Sequence, residues 1–262
     1  MEAHIRLTIA TREGRSYIRS LYTTPPLRVV SVGQLSRDNA SHLMVMSTSP
    51  GVLSEDRYFI DITLEKGARL MLKSQSYQRI YDMDQRAEQT TNIKIADGAH
   101  LSQVPHPIVP HRNSSFFATS KVELGENSSI LQGEIITCGR RLHGEEFEFR
   151  EFSNSVEVWH KGRLRLKDRV WLSPKTTPLR EIGLLEGATH QGTLIFQTTS
   201  PSIEITTLIC EIHTLLSSVE NIHSGISQTH YSGFVVRMLG YGGESLFEAM
   251  LKIQELMWER QQ

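Results

Sequence analysis

The feature that most constrains the fold of this 262-residue chain is an alternation of apolar and polar residues with a period of two. The alternation is clear in residues 5–9, 58–64, 146–150, 156–158 and 163–167. Because successive side chains of a strand point to opposite sides, each segment would bury one face and expose the other. The pattern therefore predicts a mainly β protein over residues 1–200 and favours antiparallel sheets with one face in solvent.

A weak internal repeat predicts that these strands are stacked in layers. The copies share an alternating strand, a glycine turn and a return strand, and they are residues 62–70, 93–101 and 122–130, with residues 184–190 as a weaker fourth copy. The turn glycines Gly67, Gly98 and Gly125 recur after 31 and 27 residues. Each copy is interpreted as a hairpin, and the regular spacing predicts an elongated stack of β-layers. Unrelated hairpins of an ordinary all-β protein are the alternative.

Helical periodicity appears only late in the chain. Residues 207–218 form one predicted helix, and residues 246–262 form a second that opens with the capping box Ser245-x-x-Glu248. One face of the second helix is apolar and is assigned to partner binding, with a core-facing role as the alternative; it consists of Leu246, Met250, Ile253 and Met257. No linker precedes these helices, so we expect a single domain spanning residues 1–262.

Charge and processing signals narrow the classes of partner and the compartment. The chain has 28 basic and 29 acidic residues, a formal net charge of −1, which argues against nucleic acid or an anionic membrane as the main partner. The N-terminal residues lack a secretory signal pattern, and no apolar run is long enough for a membrane helix. Only Cys138 and Cys210 could form a disulfide. We therefore expect a cytoplasmic protein.

Motifs for metal binding and catalysis are weak. His106 and His111 flank a proline-rich loop, and Cys138 precedes His143 by five positions, but neither pair supplies the four ligands of a structural metal site. The metal ligands, if there are any, stay unassigned. No nucleophile elbow, P-loop or dinucleotide-binding motif is present, so an enzyme is the weaker class.

Several polar stretches, taken in order, resemble one family. The segments are residues 49–56, 74–81, 105–110, 134–140, 144–149, 174–177 and 233–240. Their order and spacing over nearly the whole chain resemble the urease accessory proteins called UreD or UreH. The sequence departs from the family pattern at Glu55, where the family usually has the glycine of a turn.

The resemblance implies a fold and a function. The expected fold is a mainly β, two-layered, β-helix-like stack of strands with two helices near the C-terminus. The expected function is that of a non-enzymatic maturation factor that binds the urease structural subunits on one side and the complex of UreF with the GTPase UreG on the other. A tunnel through such a protein would pass Ni²⁺ to the urease active site, so Ni²⁺ would be in transit and no cofactor tightly bound.

By position, six residues are expected to line the tunnel or the polar core: Asp56, Gln75, Glu134, Arg140, Glu145 and Asp168. An ion pair between Arg140 and Glu134 that holds the layers together is an equal alternative for that pair.

Two other functions stay open from the sequence. A β-solenoid-like hydrolase or lyase could use carboxylates such as Asp56 and Glu134, provided that they face one open groove. A nickel-storage protein could use His106 and His111 as ligands.

Overall fold

The computed structural model describes residues 1–32 and 38–260. In chain order, the strands are β1 Glu2–Arg12, β2 Arg15–Thr23, β3 Leu27–Ser31, β4 Ser41–Ser47, β5 Arg57–Leu64, β6 Arg69–Ser74, β7 Gln78–Ile80, β8 Ala87–Ile95, β9 His100–Gln103, β10 Ile108–Pro110, β11 Ser115–Leu124, β12 Ser129–Thr137, β13 Glu151–His160, β14 Arg163–Leu172, β15 His190–Thr198, β16 Ile222–Gln228 and β17 Gly233–Gly240. The helices are α1 Ile205–Ser217 and α2 Gly243–Glu259. A short 3₁₀ turn covers Arg141–His143.

The strands form two stacked sheets. Sheet A has the order β14-β13-β11-β8-β5-β1-β2, and sheet B has the order β16-β17-β15-β12-β9-β6-β4-β3, with the short strands β7 and β10 at its side. The predicted fold class, a mainly β stack with two helices near the C-terminus, is confirmed. The prediction of antiparallel pairing is wrong for the centre of both sheets, where neighbouring strands from β1 to β13 in sheet A and from β4 to β12 in sheet B are parallel.

The glycine turns connect the two sheets rather than the two strands of a hairpin. The turn at Gly67 leads from β5 in sheet A to β6 in sheet B, and the turn at Gly98 leads from β8 to β9 in the same way. The turns stack on one another, because the N–H of Gly67 donates to the carbonyl of Asp97 at 2.9 Å and that of Gly98 to the carbonyl of Glu126 at 2.8 Å. The predicted layers are therefore present, but they are coils that cross between sheets.

The third copy of the repeat is aligned differently from the sequence prediction. Gly67 and Gly98 have φ angles of 70° and 67°, and the third turn has its left-handed residue at Asn127, with φ 50°. Gly125 is needed for another reason: a Cβ there would lie 2.5 Å from Oδ1 of Asp97 in the preceding turn. The glycine thus permits close stacking of two coils.

Equivalent positions of successive coils form ladders of apolar side chains. Ile62 pairs with Ile93, Ile93 with Val122, and Val122 with Val158, all of them 2% exposed or less. These ladders fill one end of the space between the sheets and hold the layers together through apolar burial. The opposite face of sheet A is polar and faces solvent, as the alternation predicts.

Both helices cover the outer face of sheet B and form a second core there. Helix α1 starts two residues before its predicted start and buries Leu208, Ile212 and Leu216. Helix α2 begins at Gly243 with Gly242 as its N-cap, so the predicted capping box is not formed; the Ser245 hydroxyl instead donates to the carbonyl of Gly242 at 2.9 Å. The last two residues of that predicted helix, 261 and 262, lie outside the described residues.

The apolar face of α2 is an internal contact. The four side chains assigned to partner binding, Leu246, Met250, Ile253 and Met257, are each at most 1% exposed and pack with residues of sheet B. The docking assignment is corrected accordingly: the sheet has already covered this face. In the described part of the chain, neither helix combines the length and apolar character needed to cross a membrane.

We predict that Met250→Ala lowers the free energy of unfolding by about 2–5 kcal/mol, because it leaves a cavity above the glycines of sheet B. A Cβ at Gly192 would lie only 2.8 Å from Cε of Met250, so this methionine fills the space that two glycines leave open. Lys252→Ala, on the exposed side of the same helix, is the control and should change stability little. Urea unfolding checks both variants, and an equal effect would contradict the packing role of α2.

We also predict that Glu55→Gly stabilises the fold. Glu55 has φ 63°, the left-handed conformation that the family's usual glycine adopts freely. The strain of about 1–2 kcal/mol for a side chain there exceeds the extra unfolded-state entropy of glycine, so the gain should be about 0.5–1 kcal/mol. A loss of stability in thermal unfolding would show that the Glu55 side chain makes compensating contacts.

Candidate functional site

A cavity of about 270 Å³ lies between the two sheets and opens at one side of the stack. We call its mouth the set of lining residues nearest the strand ends and loops, namely Ser47, residues 49–51, residues 73–79, Pro105 and His106. His106 is fixed there, because its ring contacts the Ser74 hydroxyl at 2.9 Å and stacks on Phe247 at 4.3 Å. The polar stretch at residues 74–79 therefore lines the entrance of an internal space.

Polar side chains line the cavity where a β stack would normally be apolar. Sheet A contributes Gln89, Thr91 and Ser120, and sheet B contributes Gln103 and Gln132. Each lies on a strand whose other inward residues belong to the apolar core, such as Ile93 beside Thr91 in β8. The polar side chains therefore form a band that runs across the strands at one level of the stack.

Glu134 marks the inner end of this cavity. It lies on β12 and faces sheet A, where Nδ2 of Asn154 on β13 donates to its carboxylate. The pKa of Glu134 is raised to about 7, mainly by burial and also by the nearby Asp168, while the Asn154 hydrogen bond and Arg237 oppose the shift. At neutral pH this carboxyl group therefore exchanges between its neutral and charged forms.

Two amide oxygens beside Glu134 have no hydrogen-bond partner among the described residues. Oε1 of Gln132 and Oδ1 of Asn154 are buried and accept no hydrogen bond from the described residues. Buried acceptors are normally paired with a donor or with water. Together with the Glu134 carboxylate, they form a group of oxygen atoms that suits water or a cation.

A second, narrow space of about 10 Å³ shares Gln132, Glu134 and Asn154 with the cavity, and its volume is about what one water molecule needs. Asp168 on β14 and Thr193 on β15 line this narrow part. Arg237 on β17 lies next to these two residues: its guanidinium forms an ion pair with Asp168 and donates to the Thr193 hydroxyl at 2.6 Å.

A model of the family described as UreD urease accessory protein matches residues 1–262 of this sequence. The chain belongs to the UreD family. It is 43% identical over 247 residues to the urease accessory protein UreD of Flavobacterium johnsoniae, covering 94% of this chain and 89% of that protein. It is 34% identical over 253 residues to the UreD of Acetivibrio thermocellus, covering 96% and 95%. A UreD of Haemophilus influenzae is 32% identical over 253 residues, covering 92% and 97%.

Three of the six residues predicted for the tunnel or polar core of this protein lie along the internal space. Gln75 is exposed at the mouth, Glu134 is at the inner end of the cavity, and Asp168 lines the narrow part. The other three, Asp56, Arg140 and Glu145, are not among the residues that line it.

Asp56 is a buried structural carboxylate, 2% exposed. It accepts hydrogen bonds from the N–H of Leu53 at 2.9 Å and the hydroxyl of Tyr58 at 3.2 Å, and the Met1 amino group lies 3.2 Å from Oδ1. Its lone pairs are thus used to fix the turn before β5. A tunnel role for Asp56 does not agree with this placement.

Arg140 and Glu145 form an ion pair with each other, so the suggested pair of Arg140 with Glu134 is wrong. Nε of Arg140 donates to Oε2 of Glu145 at 2.9 Å, a second donor reaches the other oxygen, and the N–H of Arg112 adds a third contact at 3.3 Å. The Arg140 hydrogen bond holds the pKa of Glu145 below its usual range. This pair closes the loop after β12 and does not face the cavity.

The structure also bears on the two alternative functions. The carboxylates of Asp56 and Glu134 do not share an open groove, which the hydrolase or lyase hypothesis requires. His111 is 4% exposed and packs its ring against Tyr81, while His106 is at the cavity mouth. Across residues 1–32 and 38–260, no group of three or more His, Cys, Asp or Glu side chains is arranged to hold a metal ion. Neither alternative is supported by this arrangement.

Gln132, Asn154 and Arg237 are site residues that the sequence prediction missed. Gln132 and Asn154 are uncharged, so a search for titratable groups passes over them. A detectable signal was present for Arg237, because it is a cation inside the apolar run of residues 234–239. A charged residue in such a run is costly to bury without a partner, and Asp168 is that partner.

We predict that Glu134→Gln stabilises the protein at high pH only. The folded-state pKa of about 7 lies above the unfolded value of 4.5, so stability is fully present below pH 4.5 and is lost as pH rises through 7. Above pH 7, ionisation of the buried Glu134 lowers the free energy of unfolding by up to about 3 kcal/mol. Glutamine cannot ionise, so the variant should not show this decrease. Urea unfolding at pH 5 and pH 8 should therefore show a variant-minus-wild-type difference that grows with pH.

The control for this prediction is Glu157→Gln on the outer face of sheet A. Hydrogen bonds from Lys167 and Trp159 hold the pKa of Glu157 below its usual range, so its replacement should not stabilise the protein at pH 8. If the free energies of unfolding of Glu134→Gln and wild type differed by the same amount at pH 5 and pH 8, the assigned pKa of Glu134 would be contradicted.

Proposed function

We propose that this protein is a non-enzymatic urease maturation factor that joins the urease structural subunits to the UreF–UreG complex and passes Ni²⁺ towards the urease active site through the cavity between its sheets. Membership of the UreD family supports the link to urease maturation. The observation that carries the nickel route is the polar band that leads from the mouth to Glu134.

The chemistry of the lining supports transit rather than storage. Ni²⁺ binds imidazole and thiolate well, whereas amide and hydroxyl oxygens are weaker ligands for it. Along the band, the cation would meet Gln103, Gln132 and Glu134 in turn. Weak sequential ligands allow an ion both to enter and to leave, as in ion channels.

Glu134 suits such a route because it does not carry a permanent charge. With a pKa of about 7, it would lose its proton when a cation arrives and regain it when the cation leaves. A fully ionised buried carboxylate would hold the divalent cation more strongly. The neutral form lowers that attraction and favours release.

The same proposal places the protein in the cytoplasm, with urease, UreF and UreG as partners and without nucleic acid or a membrane. Cys138 and Cys210 are both free thiols in the structure, which suits a reducing compartment. The docking surfaces for the partners lie outside the buried face of α2.

The direct test combines partner capture with urease activation. Thr91→Leu enlarges a side chain that lines the cavity, and Thr119→Leu makes the same change on the exposed face of sheet A. We expect both variants to co-purify with urease, UreF and UreG. Thr91→Leu alone should slow Ni²⁺-dependent activation about tenfold or more, because about 1.4 kcal/mol added to the passage barrier has that effect.

Two results would overturn parts of the proposal separately. Full activation with Thr91→Leu, in a complex that still assembles, would exclude the cavity as the nickel route. Failure of the wild-type protein to bind urease or UreF, together with full urease activation in its absence, would exclude the maturation role itself.

A further inference from the structure

One cation, Arg237, pairs with a carboxylate that lines the narrow part of the internal space. Arg237 reaches from β17 of sheet B to Asp168 on β14, the last strand of sheet A, and thereby spans the gap between the sheets. Its side chain is 43% exposed, whereas that of Asp168 is 14% exposed. The guanidinium thus lies on the solvent side of the narrow part, with Asp168 and Thr193 behind it.

The contacts of Arg237 hold it in this position from two sides. One terminal nitrogen donates to Thr193 in sheet B and the other to Asp168 in sheet A. A second guanidinium of β14, that of Arg165, stacks on the Tyr231 ring at 4.1 Å. A cation that reached Asp168 from the cavity would meet positive charge at the exit and a carboxylate that is already paired.

We propose that Arg237 is the closure of the inner end, and that its guanidinium must leave Asp168 before a divalent cation can pass between the cavity and the solvent at the β14–β17 gap. This inference rests on the proposed function in one respect: it treats the cavity as a cation route. The ion pair then has two roles. When closed, it blocks the exit; when open, it frees Asp168 as the last oxygen ligand on the way out.

A purely structural role for the pair is the competing explanation. In that case Arg237 only joins the edges of the two sheets, and its removal would change stability without changing access to the space behind it. The two explanations differ in what a cation in solution can reach, which can be measured on the isolated full-length protein.

The test uses Ni²⁺ as a paramagnetic probe of labelled methyl groups by NMR. Ile60 and Ile62 line the wide cavity, whereas Val156, Val170 and Ile195 line the narrow part. In the wild type, Ni²⁺ should broaden the Ile60 and Ile62 signals well before those of the narrow part. In Arg237→Gln, the narrow-part signals should broaden at a nickel concentration about tenfold lower, because loss of a unit positive charge raises the local cation concentration by at least that factor.

Three further variants separate closure from structure. Arg237→Lys keeps the cation and should restore the wild-type pattern in part. Arg169→Gln removes an exposed cation from the outer side of β14, the strand that carries Asp168, and should leave the pattern unchanged. Thr193→Val removes only one hydrogen bond of Arg237 and should give an intermediate pattern, so it decides the question if Arg237→Gln does not fold.

The outcomes distinguish this inference from the proposed function. Broadening of Ile60 and Ile62 with an identical narrow-part response in wild type, Arg237→Gln and Thr193→Val would overturn the closure and leave the cavity as a nickel-accessible site. Absence of broadening at Ile60 and Ile62 in every protein would overturn the cavity as a cation route, and the closure with it.

Discussion

The stacking of turns that cross between the two sheets is the constraint on which the rest of the structure depends. Each coil donates a backbone hydrogen bond to the next at the turn, as Gly67 does to Asp97 and Gly98 to Glu126. Gly125 allows the third turn to approach the second closely. Because the turns are in register, the strands that follow them are parallel and equivalent side chains lie on top of one another. Equivalent positions of successive coils therefore form ladders of similar side chains. Some ladders are apolar, and those that line the cavity are polar.

The polar level is unusual because a space between two sheets normally favours apolar side chains. Amides and hydroxyls are tolerated there because the cavity opens to solvent at residues 73–79 and because some of them hydrogen-bond across the sheets. Glu134 shows the cost of this arrangement in its raised pKa. The two sheets are packed less tightly at this level, and a cavity lined by amide, hydroxyl and carboxyl groups lies between them. Helices on the outer face of sheet B supply compensating apolar burial.

The sequence predicts local features, such as which side chains of a strand face inward and where turns occur. It does not predict which segments pair or pack with each other when they are far apart in the chain. A period of two correctly predicts which side chains of β5 and of residues 156–158 in β13 face inward, but it is the same for parallel and antiparallel strands, so the predicted antiparallel pairing was wrong. A glycine turn has the same local signal in a hairpin and in a crossing between sheets. The apolar stripe of α2 was recognised correctly, whereas the partner that covers it, sheet B, could be identified only from the tertiary structure.

The same limit explains the mixed result for the site. The sequence does not distinguish the four predicted carboxylates, because each lies in or beside a strand-like segment; they are Asp56, Glu134, Glu145 and Asp168. Their environments differ because Asp56 is used by Tyr58 and the turn before β5, and Glu145 by Arg140, so only Glu134 and Asp168 face the internal space.

The central claim is that Ni²⁺ enters the space between the sheets and contacts the oxygens beside Glu134. Anomalous diffraction at the nickel edge from crystals soaked in Ni²⁺ above pH 7, where Glu134 is mostly ionised, tests it most directly. The account predicts an anomalous peak inside the cavity, within bonding distance of Glu134 or Gln132. Peaks confined to surface histidines such as His223, with none between the sheets, would contradict it.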